Sequence, residues 1–73
     1  MRIINLDETG IKLIASNKRQ LYLSTTDIKK FIAKHYKIKD NILTLEDKEL
    51  LLTKRDVEEF GNTYTYIETN FKD

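Results

Sequence analysis

Apolar residues recur at every second position in two similar stretches of the chain. The first stretch contains Leu21 and Leu23, and the second, 29 residues later, contains Leu50 and Leu52. Since successive side chains of a strand point to opposite faces of a sheet, each leucine pair predicts a strand with one buried face.

Each predicted strand is followed by residues that typically begin a helix. Ser24 and Thr53 carry hydroxyl oxygens that can accept a hydrogen bond from a free N–H group at a helix N-terminus. Asp27 and Asp56 come three residues later, where a carboxylate completes a capping box and interacts with the positive end of the helix dipole. Both stretches therefore predict a strand that leads directly into a capped helix.

One further strand precedes each of these pairs, so that each unit is a β-hairpin followed by a helix. Residues 11–16 and residues 42–46 are predicted to form these earlier strands, and a polar turn containing Asn or Asp follows each of them. The approximate internal repeat covers residues 11–31 and 40–60. We expect both units to belong to a single domain, residues 1–73.

The two predicted helices differ in length. In the first, Ile28, Phe31, Ile32 and Tyr36 recur at helical spacing and predict about three turns. In the second, Gly61 lies where a glycine typically ends a helix by adopting the left-handed conformation. The second helix is therefore expected to have about two turns.

Both ends of the chain are predicted to add a strand. The segment RIINL, residues 2–6, is expected to pair with residues 11–16 around the turn DETG. The segment TYTYIET, residues 63–69, is rich in β-branched and aromatic residues, which favour strands. The predicted order of elements is ββ-β-α-ββ-α-β.

This order predicts an α+β fold with a small antiparallel sheet, one longer helix and one short helix, and two architectures satisfy it. In one, the two β-hairpin–helix units share a single sheet with both helices on one face. In the other, the chain resembles a ubiquitin-like β-grasp, in which LTLEDKELLL, TKRDVEEF and TYTYIET follow one another in the order of that fold. The C-terminal residues NFKD lack a Gly-Gly tail, so the resemblance does not imply conjugation to targets.

Composition indicates a globular domain without the usual stabilising additions. The chain has no Cys and one His, so we expect neither disulfides nor a zinc site. No apolar run reaches the ~18 residues of a membrane span, and the N-terminal residues MRIINLDETG lack the apolar core of a signal peptide. We therefore expect a cytoplasmic protein, in the host cytoplasm if a phage encodes it, with no cofactor, no metal and no membrane association.

Charge divides the chain into two halves. Residues 1–39 contain nine basic and three acidic residues, a balance of +6, whereas residues 40–73 contain four basic and nine acidic residues, a balance of −5. This asymmetry is compatible with a charged partner, with a head-to-tail homodimer, or with attraction between the two halves of one domain.

Basic residues on and near the first helix form a candidate nucleic-acid site. The residues are Lys29, Lys30, Lys34, Lys37 and Arg19. Such residues could contact phosphates with salt-dependent affinity. The net charge of only +1 and the lack of a second full helix for a helix-turn-helix argue against this function, which we keep as the alternative.

Side chains suited to catalysis are scarce. His35 is the only imidazole and lies on the border of the apolar stripe of the first helix, where a structural or solvated role is typical. Gly10 and Gly61 are expected at a turn and at a helix end rather than in a phosphate-binding loop. The sequence therefore predicts that the protein is not an enzyme and has no catalytic, metal or cofactor site.

Tyrosines and glutamates supply the candidate protein-binding residues. Tyr64 and Tyr66 would share one face of the final strand, where they either pack on the core or stand exposed beside Tyr22. Tyrosines on an exposed sheet face are common in interfaces. Glu58 and Glu59 take the positions that two lysines occupy in the first unit, and they mark an acidic surface. We expect these residues to contact another protein.

Together these features predict a small, non-catalytic protein-binding module. The Lys- and Ile-rich composition without Pro or Trp is typical of AT-rich genomes, including those of phages and mobile elements of low-GC bacteria. We therefore expect a phage or mobile-element accessory protein that inhibits or modulates a host protein, and anti-CRISPR-like inhibitors are one such class. A homodimer remains a further alternative.

Overall fold

Two three-stranded antiparallel sheets and three α-helices make up the computed structural model, which describes residues 1–71. The strands are β1 (Arg2–Asn5), β2 (Ile11–Ile14), β3 (Gln20–Leu23), β4 (Lys37–Lys39), β5 (Ile42–Leu45) and β6 (Lys48–Leu51). The helices are α1 (Thr25–Ile32), α2 (Lys54–Glu58) and α3 (Phe60–Phe71), and a short 3₁₀ helix (Asp7–Thr9) joins β1 to β2. The first sheet has the order β1-β2-β3 and the second the order β4-β5-β6. The predicted α+β class is confirmed.

In the structure each repeat unit gains one strand: the first unit consists of β1–β3 and α1, the second of β4–β6 and α2. The hydroxyl of Ser24 accepts a hydrogen bond from the Asp27 N–H, and the hydroxyl of Thr53 accepts one from the Asp56 N–H. Each aspartate in turn accepts from the backbone N–H of its cap residue, so both predicted capping boxes are present. The predicted hairpins β2–β3 and β5–β6 and the pairing of β1 with β2 are confirmed as well.

The first helix is shorter than predicted. α1 ends at Ile32, because Lys34 adopts the left-handed conformation with φ of 63° and the chain turns away. The His35 N–H donates to the Lys30 carbonyl at 3.0 Å, as in the Schellman motif that usually contains glycine at the left-handed position. The predicted helix of about three turns is therefore wrong. After the turn that ends α1, Lys37–Lys39 form β4, a strand that the sequence did not predict.

The last predicted strand is wrong, because this segment is part of a helix. α3 contains the whole segment TYTYIET, and it buries Phe60, Thr63 and Ile67. These residues are spaced by three and four positions, so they lie on one helix face, and α3 packs on α1. Gly61 lies in the first turn of α3, and Glu59 instead ends α2, so the predicted helix stop at Gly61 is also wrong. Burial of this face outweighs the β-propensity of Thr and Tyr.

The six strands form two sheets and not the single sheet that both predicted architectures require. β3 and β6 lie next to each other, but side chains rather than backbone pairs bridge them. Asn17 Nδ2 donates to the Leu51 carbonyl at 3.0 Å, and Lys48 Nζ donates to the Tyr22 carbonyl at 3.1 Å. The β-grasp alternative also needs a last strand where α3 lies, so this arrangement does not occur.

The inner faces of both sheets enclose one hydrophobic core together with the helices. The alternating leucines of both repeat units are buried, as predicted. The fully buried apolar residues of this core come from both units and from α3: Ile11, Leu13, Leu23, Phe31, Leu43, Leu45 and Ile67. Neither sheet has a core of its own, so each unit depends on the other.

Three of the four ion pairs within residues 1–71 connect the first unit to the second. They are Lys30–Glu46 at 2.9 Å, Met1 ammonium–Asp56 at 3.2 Å, and Lys48–Asp27. In the first two pairs a cation of the basic half meets a carboxylate of the acidic half, so part of the charge separation along the sequence contributes to attraction inside one domain.

Candidate interaction surface

Tyr64 has a structural position. Its half-buried ring lies 5.6 Å from that of Phe31 and 6.0 Å from that of Tyr36, measured between ring centroids. Its hydroxyl donates to the Ile32 carbonyl at 2.5 Å, at the C-terminal end of α1. Since α3 is a helix, Tyr64 and Tyr66 point in different directions, and the prediction that they share a face is wrong.

The predicted candidates on α2 and α3, which are Glu58, Glu59, Tyr64 and Tyr66, do not lie on the same surface as Tyr22. Tyr66 is 51% exposed and lines a shallow groove of about 390 Å³ together with Met1, Ile3 and two polar residues of α3. Ile3 belongs to the inner side of the first sheet, whereas Tyr22 belongs to its outer side. Glu58 is exposed, and Glu59 forms an ion pair with Arg55, which lies one helical turn earlier in the sequence, at 3.4 Å.

Tyr22 lies on the solvent-facing side of the first sheet, which we call the outer face. Strand register defines this face, because residues directly opposite each other point to the same side. Ile4, Lys12 and Tyr22 form one row across the three strands. Arg2, Ile14 and Gln20 form the neighbouring row.

Three apolar side chains are contiguous on the outer face. Ile4 and Ile14 are diagonal neighbours across β1 and β2, and Ile14 and Tyr22 are diagonal neighbours across β2 and β3. Diagonal neighbours lie about 7–8 Å apart, within reach of large side chains. Tyr22 is 42% exposed, Ile4 and Ile14 are partly exposed, and none of the three is part of the buried core.

Sequence reasoning missed Ile4 and Ile14, although a signal was present. Ile4 directly follows Ile3, and Ile14 directly follows Leu13. Two adjacent apolar residues in a strand must point to opposite faces, so one member of each pair has to leave the core side.

Tyr22 is held firmly in place. Its hydroxyl donates to the Thr9 carbonyl in the 3₁₀ helix. Lys48 Nζ lies 5.2 Å from the centroid of its ring, in cation–π geometry. A fixed aromatic ring loses little conformational entropy when a partner packs on it, which favours binding.

The five basic candidates do not form one cluster. Lys30 is paired with Glu46, and Lys34 Nζ lies 5.4 Å from the Tyr64 ring centroid. Lys29 and Lys37 are exposed, but Lys37 belongs to β4 and not to α1. Arg19 precedes β3 and lies at the end of that strand remote from α1, about 13 Å away for a strand of four residues.

The two buried aspartates serve the fold. Asp56 accepts hydrogen bonds from the Ser16 N–H and hydroxyl, at 2.9 and 2.7 Å, and from Thr53. Burial alone would raise the pKa of each carboxyl, but the bonds from Ser16 and Thr53 hold the pKa of Asp56 well below its ordinary value. For Asp27, contact with Lys48 and hydrogen bonds from Ser24 likewise lower the pKa. Both carboxylates are therefore ionised and engaged in structural contacts at neutral pH.

The part of the chain that the structure describes contains no group of three His, Cys, Asp or Glu residues arranged to hold a metal ion. His35 is exposed and follows the end of α1 instead of bordering its apolar stripe. Among the helices within residues 1–71, none has the length and hydropathy needed to span a membrane.

No protein-family model matches this chain, and no curated protein and no solved structure is significantly similar to it.

Proposed function

We propose that the protein is a non-catalytic module that binds another protein through the outer face of its first sheet. The observation that supports this proposal is the contiguous apolar strip of Ile4, Ile14 and Tyr22 on a solvent-facing sheet surface. Tyrosine is enriched among the residues that dominate the binding energy of protein interfaces.

The shape of the surface favours a macromolecular partner. Three strands of four residues give a face of roughly 13 by 10 Å. Such a face is flat and cannot enclose a small molecule, which usually binds in a concave pocket. It is also smaller than the ~800 Å² that each partner buries in a standard interface, so the face forms the centre and adjacent loops form the rim.

Site-specific photo-crosslinking tests the proposal. A photoreactive amino acid replaces Gln20, which is exposed on the outer face, and in a control protein it replaces Thr65, which is exposed on α3. In the source cells, we expect one defined protein to crosslink through position 20 and not through position 65. Nuclease treatment should leave this product unchanged.

Two tyrosine variants then test whether the crosslinked protein binds at the outer face. Tyr22→Thr keeps a residue that favours strands, and we expect it to weaken binding of the crosslinked protein by about tenfold or more. Tyr66→Ala also removes an exposed tyrosine, and it should leave binding unchanged. A crosslink to nucleic acid, or equal loss of affinity in both variants, would contradict the proposal.

A further inference from the structure

Basic residues concentrate on the outer face and at one end of the first sheet. Arg2 and Lys12 lie on the face itself, as diagonal neighbours across β1 and β2. Lys18 and Arg19 lie in the turn that connects β2 to β3, at the end of the sheet where Arg2 is located. Within residues 1–71 the outer face contains no acidic residue, because its remaining positions are Ile4, Ile14, Gln20 and Tyr22.

None of these four cations has a carboxylate partner within residues 1–71. This differs from Lys30 and Lys48, which pair with Glu46 and Asp27 across the two units. The carboxylates at the junction of the units therefore pair with Lys30 and Lys48, and within residues 1–71 none of them pairs with the four cations of the first sheet. Unpaired charges beside an apolar strip steer and orient a partner of opposite sign.

We infer that the partner presents an acidic protein surface, in which carboxylates surround an apolar centre, to the outer face. This inference rests on the proposed function and specifies the chemistry of the partner. Carboxylates would pair with Arg2 and Lys12, while apolar groups pack on Ile4, Ile14 and Tyr22. Arg2 in particular can form a bidentate pair with a carboxylate.

The same cations could contact phosphates, but the apolar residues favour a protein. Single-stranded nucleic acid needs several aromatic rings on which bases stack. The outer face has one ring, Tyr22, and its other two apolar residues are isoleucines. Branched aliphatic side chains pack on aliphatic and aromatic protein side chains.

Peptide titration followed by ¹H–¹⁵N NMR tests the inference. One peptide alternates Glu with Val, a second has Gln in place of every Glu, and a third probe is a single-stranded oligothymidylate. We expect the Glu peptide to shift the amide signals of β1, β2 and β3 and to bind about tenfold more tightly than the Gln peptide. The double variant Arg2→Gln/Lys12→Gln should remove this preference.

Two controls separate the inferred site from general attraction between charges. Lys29→Gln/Lys54→Gln removes two exposed lysines elsewhere and should leave the affinity for the Glu peptide within about twofold. Ile14→Ser should weaken binding of the Glu peptide, since the apolar strip takes part. Binding that is insensitive to Ile14→Ser would overturn the inference, because it would reflect charge alone.

The remaining outcomes distinguish failure of this inference from failure of the proposed function. Equal affinity for the Glu and Gln peptides at the outer face would contradict the inference that the partner is acidic, but it would not contradict the proposed binding of a protein at this face. If oligothymidylate shifts the same amide signals and binds more tightly than the Glu peptide, the inference is wrong and the cations contact the phosphates of a nucleic acid. If neither peptide binds while position 20 still crosslinks to a protein, the inference alone is wrong.

Discussion

Left-handed residues direct the chain at its turns, although glycine is scarce. Within residues 1–71, six residues other than glycine have positive φ, among them Lys34, Asp40, Asn41 and Glu46. Asp40 and Asn41 are consecutive and connect β4 to β5 in a two-residue turn, as in a type I′ hairpin, where Asn and Asp are tolerated. Because a lysine fills the position that usually contains glycine after a helix, the end of α1 could not be located from the sequence.

Replacing Gly61 with alanine should stabilise the protein. Gly61 lies in the first turn of α3, its φ is not positive, and a Cβ atom there would meet no atom within 4 Å. Alanine loses less backbone entropy than glycine when a helix forms, so the free energy of unfolding should rise by about 0.5–1 kcal/mol. Urea denaturation of Gly61→Ala against the unchanged protein measures this difference.

Gly10 provides the opposite control. Its φ is 133°, and a Cβ atom would lie 2.1 Å from the Leu23 carbonyl oxygen, which belongs to the backbone of β3. Gly10→Ala should therefore destabilise the protein strongly. A stabilising effect at position 10, or a destabilising one at position 61, would contradict the assigned backbone conformations.

Removing the hydroxyl of Tyr64 tests its structural role. Tyr64→Phe keeps the ring in the cluster with Phe31 and Tyr36 but loses the hydrogen bond to the Ile32 carbonyl. We expect a loss of about 1 kcal/mol in the free energy of unfolding. Tyr66→Phe alters an exposed residue and should change stability by less than about 0.5 kcal/mol. If the two variants are equally stable, the Tyr64 hydroxyl does not stabilise the end of α1.

At the level of elements, local signals predicted the repeated parts of the fold. The alternating leucines and the capping boxes of Ser24 and Thr53 are sequence patterns with a direct physical cause, and both occur as predicted. The C-terminal helix was not predicted, because its Thr and Tyr residues favour strands when considered locally. The spacing of Phe60, Tyr64 and Ile67 is typical of a helix. The packing against α1 that favours a helix over a strand here involves residues distant in the sequence.

The candidate surface was predictable only in part. Tyr22 was a predicted candidate, although as a neighbour of Tyr64 and Tyr66, and it lies on the outer face because it alternates with the buried Leu21 and Leu23. Ile4 and Ile14 were not recognised, since strand register, which sequence does not give, brings them beside Tyr22. The pairing of Lys30 with Glu46 and the position of Lys37 in β4 were not predicted, because both depend on the arrangement of the two units.

The two capping aspartates should differ in their contribution to stability. Asp56 joins α2 to Ser16 of the first unit and to the Met1 ammonium, and its side chain is fully buried. Asp56→Ala leaves these donors without a partner and should cost about 3 kcal/mol in the free energy of unfolding.

Asp27 supplies the matched comparison for that prediction. Its side chain is 13% exposed and its partner Lys48 is 32% exposed, so solvent can replace part of the interaction. Asp27→Ala should cost less, about 1–2 kcal/mol, as expected for loss of a helix cap and a partly exposed ion pair. Urea denaturation of both variants measures the difference, and a larger loss for Asp27→Ala would contradict the greater role of Asp56.

At the scale of the whole molecule, the two units are held together by a shared core and by complementary charges. The charge separation along the sequence suggested a charged partner, and the pairs Lys30–Glu46 and Met1 ammonium–Asp56, which join the basic half to the acidic half, account for part of it. The charged residues on the outer face of the first sheet, Arg2 and Lys12, are both basic and lie beside its apolar strip. The same sequence asymmetry thus contributes both to cohesion inside the molecule and to the surface that we propose for binding.

The contacts between the units also determine how stability should depend on pH. The folded state lowers the pKa values of Asp27 and Asp56 below the ordinary value of 3.8. The unfolded chain therefore binds more protons than the folded one at low pH, and the free energy of unfolding falls as the pH decreases below about 4. Above about pH 5, both carboxyls are ionised in the folded and unfolded states, and their stabilising contribution is fully present.

Urea denaturation at a series of pH values from 7 to 2.5 measures this dependence. Asp27→Asn removes one titrating group that links the units, so the variant should be less stable at pH 7 and should lose less stability on acidification than the unchanged protein. Glu58→Gln removes an exposed carboxyl on α2 and serves as the control, for which we expect the pH dependence of the unchanged protein. A carboxyl that titrates equally in the folded and unfolded states cannot make stability depend on pH. If Asp27→Asn and Glu58→Gln lose the same free energy of unfolding on acidification, the Lys48–Asp27 contact does not contribute to the cohesion of the two units.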